Sequence, residues 1–365
     1  MNETTAPRQP LAYRPEYESL EDDEAQTTRE LMEAMQRIRE TVARDEGHAF
    51  RSVHAKTHGI LHGTLEILPL PDTFAQGLFA RPGTHPVTLR MSSTPGDLLD
   101  DKVSTPRGVA LKILKTEGAR LDPADGLQEQ DFLMVNGPVF NAPTARKFLK
   151  SLKLLAATTD KAPNAKKLLS AALRAIETVV EKAGGESATL KAMGGHPATN
   201  PLGETYFTQV PLLMGPYMAK LSLAPAAPQL TALKGAPVDL SQSTHALRDA
   251  VSSYFAAQGG TWELRAQLCV DLQQMPIEDA SVEWSEGLSP HVPVAILTVP
   301  AQASWDNARS PAEDNELSFN PWRGLEAHRP IGSIMRVRRP AYPAGAGFRQ
   351  RFNAGRSPKA PDPAE

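Results

Sequence analysis

The chain has 365 residues, of which 41% are hydrophobic and 22% charged, and its formal net charge is −3. That composition supplies a buried core and excludes nucleic-acid binding driven by excess positive charge. A single cysteine, Cys269, excludes an intrachain disulfide and a cysteine-cage zinc site, and no apolar run reaches the roughly 18 residues of a membrane span.

Residues 1–21 carry charge and proline without periodicity and read as an N-terminal arm. Met1–Thr5 lack the basic and apolar regions of a signal peptide, which points to a cytoplasmic, reducing compartment. From Asp22 to Arg44 the pattern turns helical: Leu31, Met35, Ile38 and Val42 fall on one face, and Gly47 closes the segment. Short alternating runs then predict strands at Gly63–Leu68, Val87–Ser92 and Gly108–Leu114, with Thr64 and Glu66 outward and Leu65 and Ile67 inward. Residues 143–184 read as helical, with an apolar face at Leu168, Leu169, Ala172, Leu173, Ile176, Val179 and Val180. Strand signals return at Tyr206–Val210 and Leu212–Leu223, a helix is predicted over Thr244–Phe255, and Trp262, Leu264, Ala266, Leu268 and Val270 alternate as a half-buried strand. Val292–Val299 is a further strand, the region from Arg323 to Asn353 turns helical towards its end, and residues 354–365 read as a disordered Pro-rich tail. Strands interrupted and followed by helices, without regular βαβ spacing, argue for an α+β fold in one domain over residues 22–353.

Several chemistries are missing. There is no phosphate-binding Gly-x-x-x-x-Gly-Lys-Ser/Thr, no Gly-x-Gly-x-x-Gly after a strand, no Gly-x-Ser-x-Gly elbow and no Cys-x-x-Cys-His for covalent haem. His54, His58 and His62 are spaced four and four, which on a helix would stack three metal ligands. Gly59 and Gly63 and the β-like run around them disfavour that helix, and the plainer reading is one functional histidine with two polar neighbours.

One set of segments makes sense only together: Arg51-Ser52-Val53-His54-Ala55-Lys56, Arg90-Met91-Ser92, Thr105-Pro106-Arg107-Gly108-Val109-Ala110-Leu111-Lys112, Asp131 to Phe140, and Arg338-Arg339-Pro340-Ala341-Tyr342-Pro343 followed by Arg349. In order and approximate separation this set resembles the haem catalase superfamily, in its small, divergent, peroxidase-like branch. The likeness runs from about residue 30 to 352 and is thin between 150 and 205. The resemblance implies an antiparallel β-barrel core with flanking helices and a non-covalent haem b. It implies His54 as the distal histidine, Ser92 as its hydrogen-bond partner, Arg51, Arg90 and Arg349 at the haem propionates, Phe148 stacked on the porphyrin, and Tyr342 as iron ligand with Arg338 paired to its oxygen. Tyrosine ligation of the iron is the known catalase arrangement.

The catalase pattern Asn-Asn-x-Pro-Val-Phe reads Val135-Asn136-Gly137-Pro138-Val139-Phe140 here, and Asn136 is taken as the catalytic amide, with Val135 as the ungapped alternative. The histidine four after the tyrosine is Ala346, and Val53 stands where hydroperoxide-rearranging relatives carry threonine. The resemblance thus implies an oxidoreductase that responds to oxidative stress by reducing hydrogen peroxide or organic hydroperoxides with a small organic reductant, as a homo-oligomer (dimer or tetramer). A fatty-acid hydroperoxide isomerase or dehydratase on the same haem, and a non-enzymatic haem-binding protein, remain as alternatives. Cys269, on a strand, reads as an inert core thiol.

Overall fold

The computed structural model describes residues 8–94, 96, 98–158 and 197–361. Nine strands form the sheet: β1 (Lys56–Ile67), β2 (Gly83–Ser93), β3 (Arg107–Leu114), β4 (Glu129–Val135), β5 (Tyr206–Phe207), β6 (Leu212–Met214), β7 (Tyr217–Pro225), β8 (Gly260–Leu268) and β9 (Val292–Val299). Their order is β5-β4-β3-β2-β1-β9-β8-β7-β6, every pair is antiparallel, and β5 also pairs with β7. That last pairing closes eight strands into a barrel, with β6 as a hairpin on β7.

The alternation that predicted the strands is the alternation that fills the barrel. In β1, Leu65 and Ile67 are buried while Thr64 and Glu66 are exposed. Leu65, Leu89, Leu111, Phe132, Leu221, Leu264 and Leu297 meet in the interior. Period-2 side chains leave one face for this core and the other for the helical layer or solvent. The expected strand across Leu212–Leu223 is a hairpin, β6 and β7, because Gly215 takes φ of 59° at the turn.

The helices are α1 (Glu24–Glu46), α2 (Ala145–Thr158), α3 (Ala246–Ala257), α4 (Ser310–Glu316) and α5 (Ser333–Asn353), besides a single helical turn at Pro228–Thr231. Leu31, Met35, Ile38 and Val42 of α1 pack in a second apolar cluster with Leu149 and Leu152 of α2 and Ile334, Val337 and Ala341 of α5. This cluster backs the site described below. The arm docks on both layers: Leu11 N–H donates to the Cys269 carbonyl at 2.8 Å, and Glu18 accepts from Gly332 N–H at 3.0 Å and from Arg336 at 2.8 Å. Arg336 also pairs with Glu24 and Glu278, so arm, α1 and the first turn of α5 are tied at one point. The expected apolar face from Leu168 to Val180 lies outside the described residues, as do residues 1–7 and 362–365. No helix among the described residues is long and apolar enough to cross a membrane.

Candidate active site

Between the barrel wall and α5 lies a cavity with about 920 Å³ of empty volume, part of it open to solvent. Arg51, His54, Arg90, Ser92, Arg338, Tyr342 and Arg349 all line it, so the fold brings together residues up to 298 positions apart in the chain (349 minus 51).

His54 sits just before β1 with φ of 55°, a left-handed conformation rarely taken by a residue with a side chain. Two contacts hold it there. Ser92 Oγ lies 3.2 Å from its Nδ1, and its ring packs on the β3 backbone at Gly108, where a Cβ would stand 2.4 Å from the imidazole. Only glycine leaves room for the ring. Burial, and then the positive charges of Arg90, Arg338 and Arg51, push the His54 pKa down to about 3. The imidazole is therefore neutral at physiological pH and free to accept a proton.

The cationic edge is organised by Asp314 on α4. Arg51 Nη1 and Arg90 Nε donate to Asp314 Oδ1 at 2.8 and 2.7 Å, and Thr57 Oγ1 donates to Oδ2 at 2.8 Å. Arg349 donates to the carbonyls of Leu317 and Asn315, and Arg51 also reaches Leu317. Burial alone would raise the Asp314 carboxyl, but Arg51 and Arg90 overcome it and hold the group well below the usual carboxylate range. Burial, and then Arg90, lower the Arg51 pKa well below its ordinary value, while burial also lowers that of Arg349. Among the described ion pairs, one carboxylate pairs with two of these three guanidiniums, and Arg349 rests on main-chain carbonyls alone. A buried surplus of cations at a cavity wall is stable only against anions.

Tyr342 projects from the middle of α5, two turns past the Arg336 clamp, and no described residue hydrogen-bonds to its hydroxyl. The expected pairing of Arg338 with that oxygen is not what the structure shows. The Arg338 guanidinium instead lies over the Phe140 ring, 5.0 Å from its centroid, and Nη1 donates to Met335 Sδ at 3.7 Å. A planar cation over an aromatic face is a favourable alternative to a phenol oxygen. Phe148, on α2, meets Phe140 edge-on with centroids 5.0 Å apart and borders a wider outer channel.

Asn136 is also placed otherwise than expected. Phe132 and Met134 of β4 point into the barrel, so Val135 turns to the cavity and Asn136 away from the inner wall. The Asn136 Oδ1 accepts from Arg107 N–H at 2.8 Å and its Nδ2 donates to Glu204 Oε2 at 2.7 Å. Its amide thus belongs to a network on the outer channel, where Glu204 also pairs with Arg107 and Thr199. The side chain facing the inner cavity at this point is Val135.

The three-histidine reading does not survive the strand geometry. His58 is buried with Nε2 3.0 Å from Ser93 Oγ, His62 is exposed and pairs with Glu313 at 2.9 Å, and His54 stands apart at the cavity. Among the described residues no cluster of three or more His, Cys, Asp or Glu could hold a metal ion. Cys269 is buried, and burial raises its thiol pKa to about 11, so it is not a reactive thiolate. Sequence reasoning missed Asp314 and Gln209. Asp314 sits in no periodic run or motif and Gln209 only within a strand-like run, and both matter through what the closed fold places beside them.

No family model and no curated protein matches the chain. Solved structures do. A fungal catalase superposes with a TM-score of 0.58 at 16% identity, over 89% of this chain and 65% of that one. A bacterial catalase gives 0.55 at 14% identity over 97% of this chain and 65% of that one. Catalase A from Saccharomyces cerevisiae gives 0.55 at 15% identity, over 97% of this chain and 70% of its own length. The fold is catalase-like, and the chain spans about two thirds of the length of the catalases it matches.

Proposed function

We propose that the protein is a haem-dependent enzyme that reduces peroxides at the cavity between barrel and α5, working as a peroxidase. The observation that carries this reading is the donor set of one cavity: a neutral, buried imidazole (His54), a phenol with no hydrogen-bond partner among the described residues (Tyr342) and three guanidiniums (Arg51, Arg90, Arg349), of which two pair with one carboxylate. These residues fit haem b. The arginine surplus suits its two carboxylates, and the phenol offers an oxygen ligand to its iron.

When bound, the haem would supply redox-active iron for the two-electron reduction of the peroxide bond. The chain supplies the rest. With Nδ1–H donating to Ser92 Oγ, Nε2 of His54 keeps its lone pair for the proton of the entering peroxide. Nε2 then returns that proton to the departing oxygen, so the general base of one half-step is the general acid of the next. Burial, with the charges of Arg90 and Arg338, keeps the imidazole neutral and so ready for this transfer. Arg51, Arg90 and Arg349 would fix the cofactor's acidic edge, and Phe148 would cover one face from α2. The net change is a hydroperoxide to an alcohol and water, with two electrons and two protons drawn from an organic donor.

Val135 at the cavity wall has no donor for the departing oxygen. That favours slow peroxidase turnover on hydrogen peroxide or organic hydroperoxides over fast dismutation. The test is an absorption titration of the full chain with haem. A Soret band that saturates near one haem per chain, and a loss of most of that binding in Tyr342→Phe, is the expected result. Full occupancy with an unchanged spectrum in the variant removes Tyr342 as ligand.

A further inference from the structure

Gln209 stands where the inner cavity meets the outer channel, and with His54, Val135 and Tyr342 it is among the residues that line both. Its backbone is unusual. It is a buried residue with φ of 62°, and across it Val210 N–H donates to the Thr208 carbonyl at 2.7 Å. This is a three-residue turn in its strained, positive-φ form. A second three-residue turn faces it: Gly137 N–H donates to the Val135 carbonyl at 2.9 Å across Asn136. The Gln209 side chain bridges the two. Its Nε2 donates to the Gly137 carbonyl at 3.1 Å and to the Val139 carbonyl.

Strain at a buried non-glycine residue persists only where its surroundings over-determine it. Here the strained turn does one identifiable thing, which is to aim an amide at the segment from Val135 to Phe140. That segment is one wall of the channel. Beside Gln209, the wall is anchored by the Asn136 side chain at one end and by Phe140 N–H on the Ala280 carbonyl at the other, leaving Gly137 to Val139 to Gln209.

We propose that Gln209 is a positioning residue that fixes this wall where cavity and channel meet and thereby sorts peroxides by bulk. The proposal rests on the peroxide reading above and adds to it the selectivity between hydrogen peroxide and a bulky organic hydroperoxide. Two variants test it in the full chain. Gln209→Gly relaxes the turn and deletes the bridge. Gln209→Glu keeps backbone and length but turns carboxylate oxygens towards two carbonyls, and it carries the test if the glycine variant does not fold. In both, amide exchange over residues 137–140 of the haem-free chain is expected to accelerate about 10-fold or more, since a local opening loses its clamp. In the haem-loaded chain, the ratio of initial rates with cumene hydroperoxide and hydrogen peroxide is expected to rise about 10-fold, the scale of pocket-size discrimination. Unchanged exchange overturns the clamp. Faster exchange with an unchanged rate ratio overturns the sorting role. Failure of the peroxide reading is seen separately, as a parent chain without a Soret band, and the exchange measurement still decides whether Gln209 holds the wall.

Discussion

The two polar networks on the cavity are built on opposite electrostatic principles. At Asp314, two guanidiniums share one carboxylate, and a third, Arg349, stands beside them on main-chain carbonyls. At Glu204, on the outer channel, one guanidinium meets one carboxylate, and Asn136 and Thr199 take up the remaining valences. The second network is complete in itself. The first is complete only with further negative charge, which is the physical basis for placing an anionic ligand there. Of two buried arginine clusters, the one whose charges do not cancel points to a ligand.

The largest effect follows from breaking the unbalanced network. Asp314→Asn leaves Arg51 and Arg90 without their shared carboxylate and should destabilise the haem-free chain by about 3–5 kcal/mol, as expected for removing one partner of a buried ion pair. Urea unfolding measures it, and haem should recover part of the loss. A chain as stable as the parent would mean that the arginines need no counter-charge.

Protons test the same imbalance. His54 has its pKa lowered to about 3 against an ordinary 6.5, so between those values the unfolded chain binds a proton that the native chain refuses. Stability should therefore fall as pH drops from about 6.5 to about 3, by a few kcal/mol for a shift of this size. Chemical denaturation at stepped pH should show the slope, and His54→Ala should flatten it. An equal slope in both proteins would assign the proton elsewhere, His328 being one further buried histidine with a depressed pKa.

The same His54→Ala variant should keep its haem and slow peroxide consumption about 100-fold, the lower end of general acid–base catalysis. Rapid-mixing kinetics checks it, and undiminished rates would free His54 of proton transfer. The smallest effect sharpens the contrast across β4. Val135→Asn restores a donor at the inner wall and should raise hydrogen peroxide turnover about 10-fold, below the full worth of a well-placed donor because the surrounding wall is apolar. Oxygen evolution is the readout.

The strands and α1 were legible because burial imposes periods of two and 3.6 on apolar side chains. Leu65 and Ile67, or Leu31 and Met35, carry that pattern locally. The site was legible as an ordered set of motifs, and seven of its nine expected residues line one cavity. Two local readings did not carry through. The period of β4, with Phe132 and Met134 inward, assigns Val135 to the cavity, where the resemblance favoured Asn136. The Arg338–Tyr342 pairing was what the resemblance implied, but Phe140 arrives from another part of the chain and offers the cation its ring. Asp314 and Gln209 depend on such long-range placement throughout.

Barrel closure has a consequence for how the chain acquires its site. Strands β1 to β4 form one meander of sequence neighbours and β7 to β9 another, whereas β1 meets β9 through pairs such as Thr64 with Thr298, and β5 joins β4 at the single register Val135 with Phe207. Local hairpins form quickly, while contacts of such sequence separation are slow because loop-closure entropy opposes them. His54, Arg51, Arg90 and Ser92 belong to the first meander and its approach, and Tyr342 and Arg349 to a helix that follows the second. The cavity therefore exists only once the slow contacts have formed. A ligand that touches both halves binds the finished barrel and not its precursors, and by mass action it draws the chain out of partly folded states.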